Sequence, residues 1–121
     1  MTLELPWPPS VNHYWRHITK GPMAGRVLIS KKGREYRAAV IRLIAGLPHI
    51  PTMKGRLMVA MTAYVPDLRG RDLDNIPKAI FDALTHAGVY ADDRQIDRLW
   101  IERGAVTKGG KVVLTITQLT Q

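Results

Sequence analysis

Hydrophobic residues recur along this chain with two periods, and the switches between them mark out its elements. Leu3 and Leu5 alternate with polar neighbours, which predicts a short opening strand. Residues 57–65 alternate for longer: Leu57, Val59, Met61, Ala63 and Val65 share one face, and Met58, Ala60, Thr62 and Tyr64 share the other. Both faces are mostly apolar, which predicts a central strand covered on both sides and ended by Pro66. Residues 26–29, 96–103 and 111–119 read as three further strands, with Lys108-Gly109-Gly110-Lys111 as a hairpin turn between the last two.

The helical period appears twice. After Ser30, a candidate cap, Tyr36, Ala39, Val40, Leu43, Ile44 and Leu47 line one face of a helix running to about residue 45. In residues 73–87, Ile76, Ile80, Ala83, Leu84 and Ala87 recur at helical spacing. Asp74 reads as the N-cap there, Pro77 falls in the first turn where a missing N–H is harmless, and Gly88 is the stop. Pro6, Pro8 and Pro9 stiffen the segment around Trp7, which reads as a packed plug or, alternatively, as a stacking platform for a base. His13-Tyr14-Trp15-Arg16-His17 mixes aromatics with cations and suits either nucleic-acid contact or a snorkelling surface. The sum is one α+β domain over residues 1–121, a mixed sheet of about five strands with two helices.

Composition narrows the class. At 121 residues and 45% hydrophobic, the chain can build a real core and is not disordered. It has no cysteine, which excludes disulfides and thiolate metal sites. The first residues carry no basic leader, and no apolar run reaches membrane-spanning length, so the expected setting is the cytoplasm, with no membrane partner. Eighteen Lys and Arg against ten Asp and Glu give a net charge of +8, which points to a polyanionic partner such as nucleic acid.

Against that basic background the acidic residues are oddly placed. Four of the ten carboxylates form two tight pairs, Asp72/Asp74 and Asp92/Asp93. Packing like charges together is unfavourable unless a cation joins them, and hard divalent ions such as magnesium take carboxylate oxygens. In an extended segment Asp72 and Asp74 point the same way and can share one ion. A helix of about 12 residues is roughly 18 Å long. The five or six residues after Gly88 can span about 17–20 Å, enough to bring the second pair back to the helix start. The alternative is that these aspartates are ordinary caps and turns. Lys78 lies one turn after Asp74 on the same helical face, beside the acidic pair or as a plain ion-pair partner of Asp74 or Asp82. The basic run Lys31-Lys32-Gly33-Arg34 at a helix start is either a phosphate seat or a solvated cluster.

Five stretches, taken together and in order, resemble the RusA-type Holliday junction resolvases, small endodeoxyribonucleases of bacteria and their phages and prophages. They are Leu5-Pro6-Trp7-Pro8-Pro9-Ser10 with Asn12 and Arg16; Arg71-Asp72-Leu73-Asp74-Asn75 with Lys78; Phe81-Asp82-Ala83-Leu84 with Ala87-Gly88; Asp92-Asp93 with Gln95; and Thr107-Lys108-Gly109-Gly110. The resemblance implies a homodimer that binds four-way junction DNA and nicks two opposing strands with magnesium or manganese. It implies Asp72, Asp74 and Asp93 as metal ligands, Asp92 as a possible fourth, and Lys78 as the residue required for cleavage. Arg16, Lys31, Lys32, Arg34, Arg69, Arg71 and Lys108 are the candidate DNA contacts. Gly70 interrupts a loop that is more continuously basic in the best-known member of the family, which bears on DNA affinity and junction preference. Two other classes fit the residues: a basic DNA-binding module without catalysis, and a metal-dependent nuclease acting on flaps or other branched substrates.

Overall fold

The strongly alternating segment becomes the strand on which the others are hung. The computed structural model of the chain describes residues 1–120, so the last residue of the expected domain lies outside the described residues. β4 (Leu57–Tyr64) lies between β6 (Lys111–Gln118), antiparallel to it, and β5 (Ile96–Arg103), parallel to it. β1 (Thr2–Pro6) pairs antiparallel with the far side of β6, giving the order β1-β6-β4-β5. β2 (Trp15–His17) and β3 (Val27–Ile29) form a separate two-stranded ribbon.

Three helices complete the α+β architecture: α1 (Val11–Tyr14), α2 (Lys31–Ala45) and α3 (Pro77–His86). Tyr36 and Val40 of α2 and Ala79, Ile80, Ala83 and Leu84 of α3 join one buried cluster with Leu57, Val59, Met61 and Ala63 of β4. Leu3, Leu5, Val112, Leu114 and Ile116 complete that cluster, so the apolar stripes of both helices cover the same side of the sheet.

Several sequence expectations need correction. β4 is central but is deeply buried on one face only; Met58, Ala60, Thr62 and Tyr64 remain half-buried. The two long helices share one side, and among the described residues no helix is left for the other. The hairpin between β5 and β6 does not form. β4 occupies the place on β6 that a hairpin partner would take, because β5 returns parallel to β4 after the α3 crossover. The glycines after Lys108 still make a tight turn, with φ +80° at Gly109 and +68° at Gly110, but it carries the chain past the end of β4. The described residues hold six strands in two sheets rather than five in one, and α1 is an addition. Elements of three or four residues are too short to show a period. No helix of the described residues is long and apolar enough to cross a membrane.

Candidate functional site

The acidic motif enters α3 differently from its sequence reading. Asp72 is extended, with φ −85° and ψ 132°, and Leu73–Asn75 make a turn of 3-10 helix before α3 begins at Pro77. Asp74 therefore lies inside that turn and is not the N-cap of α3; Ile76 holds that place without a side-chain cap bond. Pro77 cannot follow a helical turn without distorting the residue before it, which is why the two helices are separate. The consequence is chemical. The ion pairs of the described residues use Glu4, Asp67, Asp82, Asp92 and Asp97, leaving Glu35, Asp72, Asp74, Asp93 and Glu102 without a cationic partner, and of these only the three aspartates fall in the acidic clusters. Asp72 and Asp74 are exposed and free to bind something else.

The second acidic pair is built by a capping box. Asp92 accepts from the Arg94 amide at 2.9 Å, and the Gln95 side chain accepts from the Asp92 amide at 3.1 Å. Gln95 donates onward to the carbonyls of Met53 and Gly55, fixing the turn Asp93–Gln95 beside the residues that lead into β4. The Arg94 amide holds the Asp92 carboxyl below its usual range. Burial, then the Asp92 carboxyl, and more weakly the charge of Asp82, push Asp93 above its usual range. Asp92 is thus a structural cap, and Asp93 is a carboxylate that a cation would relieve.

The chain does not bring the two pairs together in the way the spacing suggested. Val89 and Tyr90 are buried beneath α3, with the Tyr90 hydroxyl donating to the Phe81 carbonyl at 3.1 Å, so this segment is tied to the middle of the helix and not to its start. Asp93 precedes Ile96, which pairs with Leu57 at the start of β4. Arg71 accepts at its carbonyl from the guanidinium of Arg103, which pairs with Ala63 near the end of β4. Asp72/Asp74 and Asp93 consequently lie toward opposite ends of the β4–β5 pair. Among the described residues no three His, Asp or Glu side chains of one chain gather as a ready ion cage.

Lys78 pairs with neither Asp74 nor Asp82. It is exposed, and its ammonium stands 5.7 Å from the centre of the Trp15 ring, a cation–π contact that leaves its charge available. Asp82 is occupied: Arg37 donates to it at 2.9 and 3.1 Å, the Tyr14 hydroxyl donates to it, and His86 lies 3.6 Å away. Burial and this carboxylate raise Tyr14 far above the usual phenol range. Nothing in the sequence linked Tyr14, Arg37 and Asp82, which come from three separate helices.

The basic candidates are all at the surface except Arg71. Lys31, Lys32 and Arg34 lie in the first turn of α2, which Ser30 caps by accepting from the Gly33 amide at 3.0 Å. Arg16 on β2, Arg69 and Lys108 are exposed. Arg71 is held by Asp67 at 2.6 and 3.1 Å, and its guanidinium carbon stands 5.8 Å from the centre of the Trp7 ring. Arg71, Trp7 and Asp72 border a cleft of about 490 Å³ with Pro9, His13 and Asn75.

The donor set suits a hard divalent ion. It consists of unpartnered carboxylates with no thiolate, one of them destabilised in its charged form. Edge strand β5 joins the two ends of the site. It pairs only with β4 among the described residues, and Leu99 and Trp100 at its middle are 46% and 60% exposed.

Comparison with known proteins converges on one family. The model of endodeoxyribonuclease RusA matches residues 6–117. A crossover junction endodeoxyribonuclease RusA of Enterobacteria phage 82 is 43% identical over 117 residues, 97% of this chain and 93% of its own length. The protein of that name from Shigella sonnei strain Ss046 is 42% identical over 118 residues, 98% and 94% of the two lengths. That of Enterobacteria phage HK97 is 43% identical over 115 residues, 95% and 92% of the two lengths.

Proposed function

The chain belongs to the endodeoxyribonuclease RusA family, and from that premise we propose that it resolves four-way DNA junctions as a magnesium-dependent homodimer, with manganese as an alternative ion. The observation that carries this reading is the pair of unpartnered acidic groups toward opposite ends of one strand pair. Two copies related by a two-fold axis, with their β5 edges antiparallel, would bring Asp93 of one protomer toward Asp72 and Asp74 of its partner, at both ends of the joint. The exposed Leu99 and Trp100 supply the apolar centre of such an isologous contact. A junction needs two matched nicks, and this arrangement yields two equivalent sites.

In the reaction, Asp72, Asp74 and Asp93 would hold the ion. A divalent cation there supplies polarisation of the phosphoryl oxygen and activation of the attacking water. Lys78, one turn into α3, would offset charge building on the phosphoryl group or leaving oxygen. Lys31, Lys32, Arg34, Arg16, Arg69 and Lys108 would seat flanking phosphates without reading bases. Their contribution makes binding fall steeply with salt. Such an enzyme works on DNA in the cytoplasm of a bacterial host.

Mixing two inactive variants tests the shared site. Asp72→Asn and Asp93→Asn homodimers should each bind junctions and cut none. In a mixed dimer one site carries both changes and the other carries neither, so co-refolded chains should regain nicking of one strand. Mixtures that exchange chains yet stay inert would show that each site is built within one protomer. Junction binding unaffected by magnesium, with no cutting by the unaltered protein, would leave a DNA-binding module.

A further inference from the structure

The cleft beside Asp72 has a composition that phosphate seating does not require. Its wall is an indole, Trp7, stiffened by Pro8 and Pro9 and backed by the turn at Gly110, where an added Cβ would meet the Trp7 Cβ and Cγ at 3.0 Å. The Trp7 ring is held in place and remains half-exposed toward the cleft. Asp67 holds the Arg71 guanidinium, whose central carbon stands 5.8 Å from the centre of the same ring. His13 and Asn75 line it with groups that both donate and accept, the His13 ring being steadied by Ser10 at 2.9 Å. At about 490 Å³ the space falls in the range of roughly 300–1,000 Å³ usual for small-ligand sites.

Resting on the junction-nuclease reading, we propose that this cleft receives one unstacked nucleobase next to the scissile phosphate. Flat π-faces, a planar cation and edge donors and acceptors are what a base uses when it leaves the helical stack. Continuity with Asp72 sets which base it is, because the phosphate joined to it must lie at the acidic site. Arg69, exposed at the rim of the cleft, neutralises the adjoining backbone. In a junction whose arms are opened from coaxial stacking, a base at the crossover loses one stacking neighbour, so extracting it costs less there than in a duplex. Trp7 and Arg71 then act as positioning residues for strand scission, and His13 and Asn75 bias which base is accepted.

Photocrosslinking on the intact protein tests the assignment. Junctions carrying 5-iodouracil at single positions flanking the nick are bound with calcium replacing magnesium, irradiated and analysed by peptide mass. The expected result is an adduct on Trp7 from a position adjoining the scissile phosphate, absent for the same strand in a duplex. Trp7→Ala should weaken junction binding by roughly tenfold and even out the distribution of nick positions, while Trp7→Phe preserves both. Adducts that avoid Trp7 on a junction the protein binds and, with magnesium, cuts would overturn the pocket and leave the nuclease reading standing. So would an unchanged nick distribution in folded Trp7→Ala. An unaltered protein that cuts no junction would overturn both.

Discussion

Asp74 lies just before α3 and Asp82 within it, in the same basic chain, and the two have opposite fates. Asp82 is nearly enclosed, its side chain 18% exposed, and Arg37, Tyr14 and His86 all turn toward it. Asp74 is exposed and has no cationic partner among the described residues. A basic protein has cations to spare, so it is notable that Asp74 and its neighbour Asp72, two carboxylates this close in the chain, are both left without one. The satisfied aspartate ties α2 to α3, and Asp74 makes no such tie.

The largest effect should come from the unsatisfied side. Asp74→Asn should slow junction cleavage by roughly a thousandfold or more, because the several kcal/mol contributed by a bound ion convert at about 1.4 kcal/mol per tenfold. Its unfolding free energy, measured by urea titration, should stay within about 0.5 kcal/mol of the unaltered protein, as for an exposed substitution. A large loss of stability would move Asp74 to the structural class. Lys78→Ala is next. Single-turnover cleavage should fall by roughly a hundredfold, as for a charge-stabilising donor, with stability barely changed because its contact with Trp15 is at the surface. Cleavage at the original rate by a folded Lys78→Ala protein would return the residue to the surface.

Asp82→Asn should reverse the pattern. Losing the charge that Arg37 and Tyr14 face should lower unfolding free energy by about 1.5–3 kcal/mol, measured by urea titration. Cleavage well below the transition should stay within a few-fold. If Asp82→Asn abolished cutting with its stability intact, the contrast between the two aspartates would collapse.

The smallest effect belongs to Asp67, a satisfied aspartate at the surface. The Arg71 guanidinium and the Arg69 amide lower its carboxyl from 3.8 to about 2. Because the folded value lies below the unfolded one, its stabilisation is complete above about pH 4 and is lost as pH falls through about 2. Asp67→Asn should therefore reduce the acid dependence of stability between those limits and leave it flat near neutrality. Thermal melts across pH 2–5 would read this, and an unchanged acid limb would mean that the pair with Arg71 contributes nothing in solution.

Much of this protein follows from the order of its residues. The periods of 57–65, 31–45 and the α3 stripe are local, so the side chains that bury themselves announce their element before any partner is known. The unpaired acidic groups and the motif around Asp72 were legible for the same reason, as chemistry concentrated in a few neighbouring positions. Tertiary structure decided what depends on distant partners. Tyr14 and Asp82 meet across 68 positions, and Arg103 reaches Arg71 across 32, contacts with no periodic signal. The direction of β5 mattered most. An apolar strand reads alike whichever way it runs, because side-chain alternation is the same in both directions. Only its pairing parallel to β4 sets Asp93 toward one end of the sheet and Asp72 toward the other.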